Sequence, residues 1–197
     1  MKRETFSNAM SSDFWKECTG AMPRPYLKVV LDVLRVLDAA GEVTSVRSRF
    51  SPKGAYGRQG LIPLLEHSIN VARICGEVAG EGTLRYPAII AGLAHDIGKL
   101  PELHPGDYSA VMHAHIGAVF VSGVVAGRLN DRQSAAVVHA VKNHHLPVGG
   151  PVHPLLREAD RRAREMEDLQ VVALLAKGKL LLASPIKRNN RKGGSYG

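Results

Sequence analysis

Apolar positions recur at helical spacing along most of this chain. From Arg24 to Ala40, Leu27, Val30, Leu31, Leu34 and Leu37 follow one another at short helical steps, and Gly41 offers a stop. The same pattern predicts helices over Leu61–Val78, Tyr86–Asp96 (closing at Gly98), Ser109–Leu129, Leu155–Glu167 and Leu169–Leu182. The Ser109–Leu129 helix is expected to be buried over much of its surface. Asp131 is placed to cap a further helix running to about Asn143. Between these lie segments rich in Gly, Ser, Pro and Arg (Gly41–Gly60) or in proline and glycine (Leu100–Tyr108 and Pro147–Pro154), which read as connections. Val43–Val46 is the one short stretch suited to a strand. The expected fold is all-α, a bundle of about six or seven helices. Its expected parts are an N-terminal helix and basic loop over 10–60, the main helical domain over 61–183 and a basic tail over 184–197. Ser7-Asn8-Ala9-Met10 resembles the remnant of a cloning vector ahead of a start at Met10, so residues 1–9 are set aside.

Composition narrows the class. The chain has 197 residues, 45% of them hydrophobic and 22% charged, as in a soluble globular protein. A chain of this length can bury enough surface to need no disulfide scaffold. Its two cysteines, Cys18 and Cys75, form no CxxC pair, which excludes zinc ribbons and thioredoxin-like motifs. A reducing, cytoplasmic setting is expected. No apolar run reaches the about 18 residues that a membrane span needs, and no apolar leader suggests secretion. The formal charge is +8, which favours anionic partners such as nucleotides, nucleic acid or anionic lipid. Lys187-Arg188-Asn189-Asn190-Arg191-Lys192 concentrates part of that charge. It fits a solvated, disordered tail or a phosphate-binding arm.

The nine histidines change the picture most. All lie between His67 and His153, and imidazole is the commonest transition-metal ligand in proteins. His95 and Asp96 adjoin at the end of a strongly apolar helix, where a buried aspartate needs a compensating charge. Taken alone, Asp96 could pair with Lys99 while His95 merely packs. His67 taken alone could be a core histidine, and Asp160 a solvated helix residue. Together they are two imidazoles and two carboxylates from three helices. Such a mixed N/O set suits Fe, Mn, Co, Ni or Zn, and bundles build metal sites from inward side chains on facing helices. His104 and His153 sit in proline loops and are expected to be exposed. His139 is expected to pack, and Glu66 to back His67 or face solvent.

The order His67, His95-Asp96, Asp160 resembles the signature of the HD-domain metal-dependent phosphohydrolase superfamily over about Leu61–Glu165. Ala91-Gly92-Leu93-Ala94-His95-Asp96-Ile97-Gly98-Lys99 is similar to its central motif, and Gly60-Leu61-Ile62-Pro63-Leu64-Leu65-Glu66-His67-Ser68 to its first-histidine helix. His113-Ala114-His115-Ile116-Gly117-Ala118 and Lys142-Asn143-His144-His145 resemble motifs of the subset that holds two metals. That resemblance implies one or two divalent ions, with Asp96 bridging the pair where there are two. His67, His95 and Asp160 would hold one ion, and His113 and His144 the other, with His145 and, less so, His115 as further choices. It also implies that Lys99 faces the substrate phosphate. No Gly-Tyr-Pro motif follows His145, which argues against cyclic-di-GMP as substrate. Ser51-Pro52-Lys53-Gly54 and Leu84-Arg85-Tyr86-Pro87 add a weaker similarity to the HD-type relaxase domain of conjugative elements, which implies a DNA substrate. The histidine-rich run expected ahead of the first helix of such a domain is replaced by Ala55-Tyr56-Gly57-Arg58.

The expected activity is hydrolysis of a phosphomonoester or phosphodiester, in the first instance of a nucleotide, by metal-activated water. Asp96 and Lys99 are the expected catalytic residues, with Lys99, Arg58 and Arg161 neutralising phosphate charge. Neither GxSxG nor a P-loop is present, which disfavours a covalent serine mechanism and NTP-driven transfer. The competing expectations are a relaxase-type nuclease acting on DNA and a catalytically silent interaction domain.

Overall fold

A computed structural model describes residues 4–41, 43–46, 54–103 and 110–177. His104, residues 47–53 of the basic loop and the cluster Lys187–Lys192 lie outside the described residues. Eight α-helices and one 3-10 turn make up the described chain. They are α1 (Ala9–Ala21), α2 (Arg24–Ala39), α3 (Ala55–Gln59), α4 (Leu64–Ala79), α5 (Arg85–Ala94), the 3-10 turn Ile97–Lys99, α6 (Ala110–Val125), α7 (Asp131–Asn143) and α8 (His153–Ala176). The all-α expectation holds. No described helix is long and apolar enough to cross a membrane.

α4 lies at the centre, packed mainly on α5 and α8, while α6 packs on α7 and the 3-10 turn. Leu34, Leu37, Leu64, Ile69, Ile90, Leu93, Ile97, Leu100 and Leu156 are fully buried between these helices. Close approach of α5 to α4 requires Gly92. A Cβ there would stand 2.9 Å from Ala72 Cα. This contact brings the helices that carry His67 and His95 together.

Several boundaries differ from expectation. α1 was not read from the pattern, although Ser11, Phe14, Trp15 and Cys18 form a buried stripe at helical spacing. The cap of α7 is Asn130, whose side chain accepts from Gln133 N at 2.9 Å, and not Asp131. The two stretches expected after Leu155 are one continuous helix of 24 residues. α5 ends at Ala94, four residues before Gly98, and Gly98 lies within the 3-10 turn. On α6, Ala114, Ala118, Val121 and Val125 are buried while Met112 and Val119 are exposed. The expected strand is a single bridge, Thr44 to Pro63. It is supported by Ser45 N donating to Ile62 O at 2.9 Å and Leu64 N donating to Val43 O at 2.7 Å.

The segment before Met10 packs on the fold. Ser7 N and Oγ each donate to Asp38 Oδ2 at 2.8 Å, and Asn8 N donates to Oδ1 at 3.1 Å. Burial works to raise the Asp38 carboxyl, but bonds from Ser11, Ser7 and Asn8 hold it below its ordinary 3.8. A depressed carboxyl stabilises the fold above its unfolded value and stops doing so as pH falls through the folded value. Wild type is therefore expected to lose stability, relative to Asp38→Asn, as pH drops below about 3.8. Paired acid-denaturation curves with one pH profile would refute this.

Candidate metal centre

The site is built where the ends and faces of five helices meet. His67 stands in the first turn of α4, and His95 and His144 are the C-cap residues of α5 and α7. Asp96 follows His95 into the 3-10 turn. His113 comes from α6 and Asp160 from α8. His67, His95, Asp96, His113 and His144 are all nearly or fully buried.

Asp96 is the hub. Its Oδ2 lies 3.4 Å from His95 Nε2 and 3.8 Å from His67 Nε2. Its Oδ1 lies 3.1 Å from His113 Nε2 and 3.6 Å from His144 Nε2. Asp160 Oδ1 completes the first side, 3.2 Å from His67 Nε2 and 3.9 Å from His95 Nε2. His145 Nε2 completes the second, 3.0 Å from His113 Nε2. One oxygen of Asp96 thus faces each cluster of imidazoles.

The orientation of the rings matches metal coordination. His95 Nδ1 bonds Gly92 O at 2.8 Å and His144 Nδ1 bonds Val141 O at 2.7 Å. In both, Nε2 is left to face Asp96. His67 Nε2, His95 Nε2 and Asp160 Oδ1 are buried with no hydrogen-bond partner. Buried polar atoms are rarely left so. A divalent cation among them would satisfy all three, so the residues present fit one. The groups Asp96–His113–His144–His145 and His67–His95–Asp96 each converge closely enough to hold an ion.

The electrostatics favour an ionised hub. Burial works to raise the Asp96 carboxyl, but Lys99, His95, His113 and His144 hold it well below the usual carboxylate range. Asp160 is likewise lowered despite burial, by His67 and His95. Burial pulls the His67 imidazole down, yet the facing Asp160 and Glu167 carboxylates raise it overall. Burial lowers His113, and burial together with His144 and His113 holds His145 at about 4. His113 and His145 are therefore neutral near pH 7, as ligands must be.

Lys99 is buried, with Nζ 2.5 Å from Asp96 Oδ2 and 2.7 Å from Ser45 O. The Asp96–Lys99 pair left open by the sequence therefore exists within the histidine cluster. His113 turns inward, whereas His115 on the same helix is exposed. Arg58 Nε and Nη2 donate to the two oxygens of Asp168, both at 2.7 Å. Arg161 is exposed and paired with Glu158 and Glu165. It lines, with Arg157, a cleft of about 570 Å³ onto which His144, His145 and Asp160 open.

Four residues depart from expectation or escaped it. His153 is 1% exposed, contrary to expectation, because its Nε2 bonds Asn143 O at 3.0 Å and ties α8 to α7. His139 is exposed and bonds Gly149 O at 2.8 Å. Arg164 was missed. Its guanidinium reaches Asp96 Oδ2 at 3.4 Å, Asp160 Oδ1 at 3.6 Å and Ser45 Oγ at 2.8 Å. Glu167, fully buried against His67, was missed too. Glu66 accepts from Gln170 Nε2 at 3.5 Å.

Comparison with known proteins agrees with this geometry. The chain is 40% identical over 89 residues to Ribonuclease Y of Lawsonia intracellularis and 36% identical over 105 residues to Ribonuclease Y of Syntrophotalea carbinolica. These matches cover 45% and 53% of this chain but only 15% and 17% of those proteins. No solved structure shows significant similarity to the chain. The family model described as HD domain matches residues 64–177, from the first turn of α4 to the end of α8. That match spans more than half of the sequence and takes in every residue that meets at Asp96, and the chain belongs to the HD-domain family.

Proposed function

We propose that this chain is a metal-dependent phosphohydrolase that cleaves a phosphoester bond of a nucleotide with water. One observation carries this: Asp96 presents one carboxylate oxygen to His67 and His95 and the other to His113 and His144. Fe, Mn, Co, Ni or Zn suits this donor set, and a pair of ions would share Asp96. A divalent metal supplies a water acidified toward neutral pH and polarises the phosphoryl group. Asp96 and Asp160 provide the negative charge that holds the cation. Lys99 fixes Asp96 and adds positive charge beside it. Arg157 and Arg161, which line the cleft, would meet phosphate oxygens of an entering substrate, Arg161 in exchange for its contacts with Glu158 and Glu165.

The similarity to two proteins named Ribonuclease Y favours a second reading, in which the scissile phosphodiester belongs to RNA. A polymer would engage several phosphates, so its binding would fall steeply with salt, whereas a mononucleotide would respond weakly. The test is turnover by metal-reconstituted protein on nucleotides and on RNA and DNA oligonucleotides, at low and physiological salt. Hydrolysis that needs the metal and stops with EDTA is the expected result. A protein that turns over none of these substrates after reconstitution with Mn or Fe would overturn the proposal in favour of a silent interaction domain.

A further inference from the structure

His95 and His144 need no side chain to orient them. Each sits at a helix C-terminus, where carbonyls lack intrahelical partners, and each Nδ1 bonds such a carbonyl three residues back. His67 has no such option. It stands in the first turn of α4, where the carbonyls are taken by the helix itself. Its Nδ1 instead meets the Glu167 carboxylate, 3.0 Å from Oε1 and 3.1 Å from Oε2.

Glu167 lies 100 residues away in sequence and is fully buried. Asn70 Nδ2, one turn past His67, donates to its Oε1 at 3.1 Å. Arg164 Nη1 stands 3.8 Å from Oε2. A carboxylate only accepts. In the neutral ring that a metal requires, His67 Nδ1 must therefore carry the hydrogen, which leaves the Nε2 lone pair for a cation lying between it, Asp96 and Asp160. A neutral amide at position 167 could present either end to Nδ1 and would not dictate that tautomer.

We infer that Glu167 is a positioning residue that fixes the ring and tautomer of His67, and so sets metal affinity on the His67–His95–Asp160 side of Asp96 alone. The inference rests on the metal-dependent function proposed above. Carboxylates behind ligating histidines typically matter about 10- to 100-fold in metal affinity.

The test titrates Mn(II) into the metal-stripped full chain by calorimetry, for wild type, Glu167→Gln and Asn70→Ala, with melting curves of the stripped proteins. Glu167→Gln is expected to weaken one class of site about 10- to 100-fold and to leave the His113–His144 class as in wild type. Asn70→Ala, which frees one oxygen of Glu167 without touching His67, should weaken the same class by less. Unchanged affinity in Glu167→Gln with two sites in wild type would overturn this inference while the proposed function stands. Equal weakening of both classes with a lowered melting temperature would overturn it too, as a merely structural role. Should Glu167→Gln fail to fold, Asn70→Ala decides, and unchanged affinity there counts against the inference. A wild-type chain that binds no Mn(II) would overturn the proposed function and this inference together.

Discussion

Asp96→Ala is expected to lose metal on both sides of the cluster and to lower kcat/KM by more than about 10³-fold, or more than about 4 kcal/mol of transition-state stabilisation. Among the described residues no other carboxylate is seen to reach both sets of imidazoles, so its loss removes their shared negative charge. The substitution also acts on the fold. Lys99 and Arg164 would lose the carboxylate they now face. Removing one member of a buried ion pair costs about 3–5 kcal/mol. Asp96→Asn keeps the shape and separates the two effects: it should fold better than the alanine variant and still be close to inactive. Metal content by mass spectrometry, read beside turnover and melting curves, checks both. Retained metal-dependent turnover in Asp96→Ala would end the assignment.

The second large effect is expected at Gly98. A Cβ on this residue would stand 2.0 Å from His113 O and 2.9 Å from Gly117 N. Both are backbone atoms of α6, so no side-chain rotation can relieve the clash. Gly98→Ala must push the 3-10 turn and α6 apart, at about 3 kcal/mol or more. For a chain of this size that is roughly 6–12 °C in Tm. Because the displaced helix carries His113, metal on the His113–His144 side should weaken more than on the other. A Gly98→Ala protein with wild-type Tm and full metal content would show that α6 has room the structure denies it.

Gly98 also shows where sequence and structure part. Its place after an apolar helix suggests a stop, yet α5 ends at Ala94 and the glycine serves the contact with α6. A stop and a close approach call for the same residue, and only the three-dimensional packing tells them apart. His67, His95, Asp96, His113, His144 and Asp160 were legible as candidate ligands because their types and order resemble a known pattern, and the structure brings these side chains together. Arg164 and Glu167 were hidden in the charged run Arg161-Arg162-Ala163-Arg164-Glu165-Met166-Glu167-Asp168, which looks solvated. One signal was available for Glu167. Leu156, Ala159, Ala163, Glu167 and Val171 share the buried stripe of α8, and a glutamate in an apolar stripe needs a partner. α1 was overlooked because its stripe mixes Ser11 and Cys18 with Phe14 and Trp15. The sequence reading divides the two last stretches at Asp168, whereas Asp168 is held by Arg58 from α3 and the helix runs on.

α8 works as a ruler. Asp160, Arg164 and Glu167 fall on one side at steps of four and three residues, and the rise of about 1.5 Å per residue sets their separation. Point changes at the outward positions Arg161, Arg162 and Glu165 leave those marks in place. A single inserted or deleted residue between Asp160 and Glu167 would turn everything beyond it by about 100°, so Asp160 and Glu167 could no longer both reach the His67 ring. In this stretch the chain should tolerate substitution far better than any change of length.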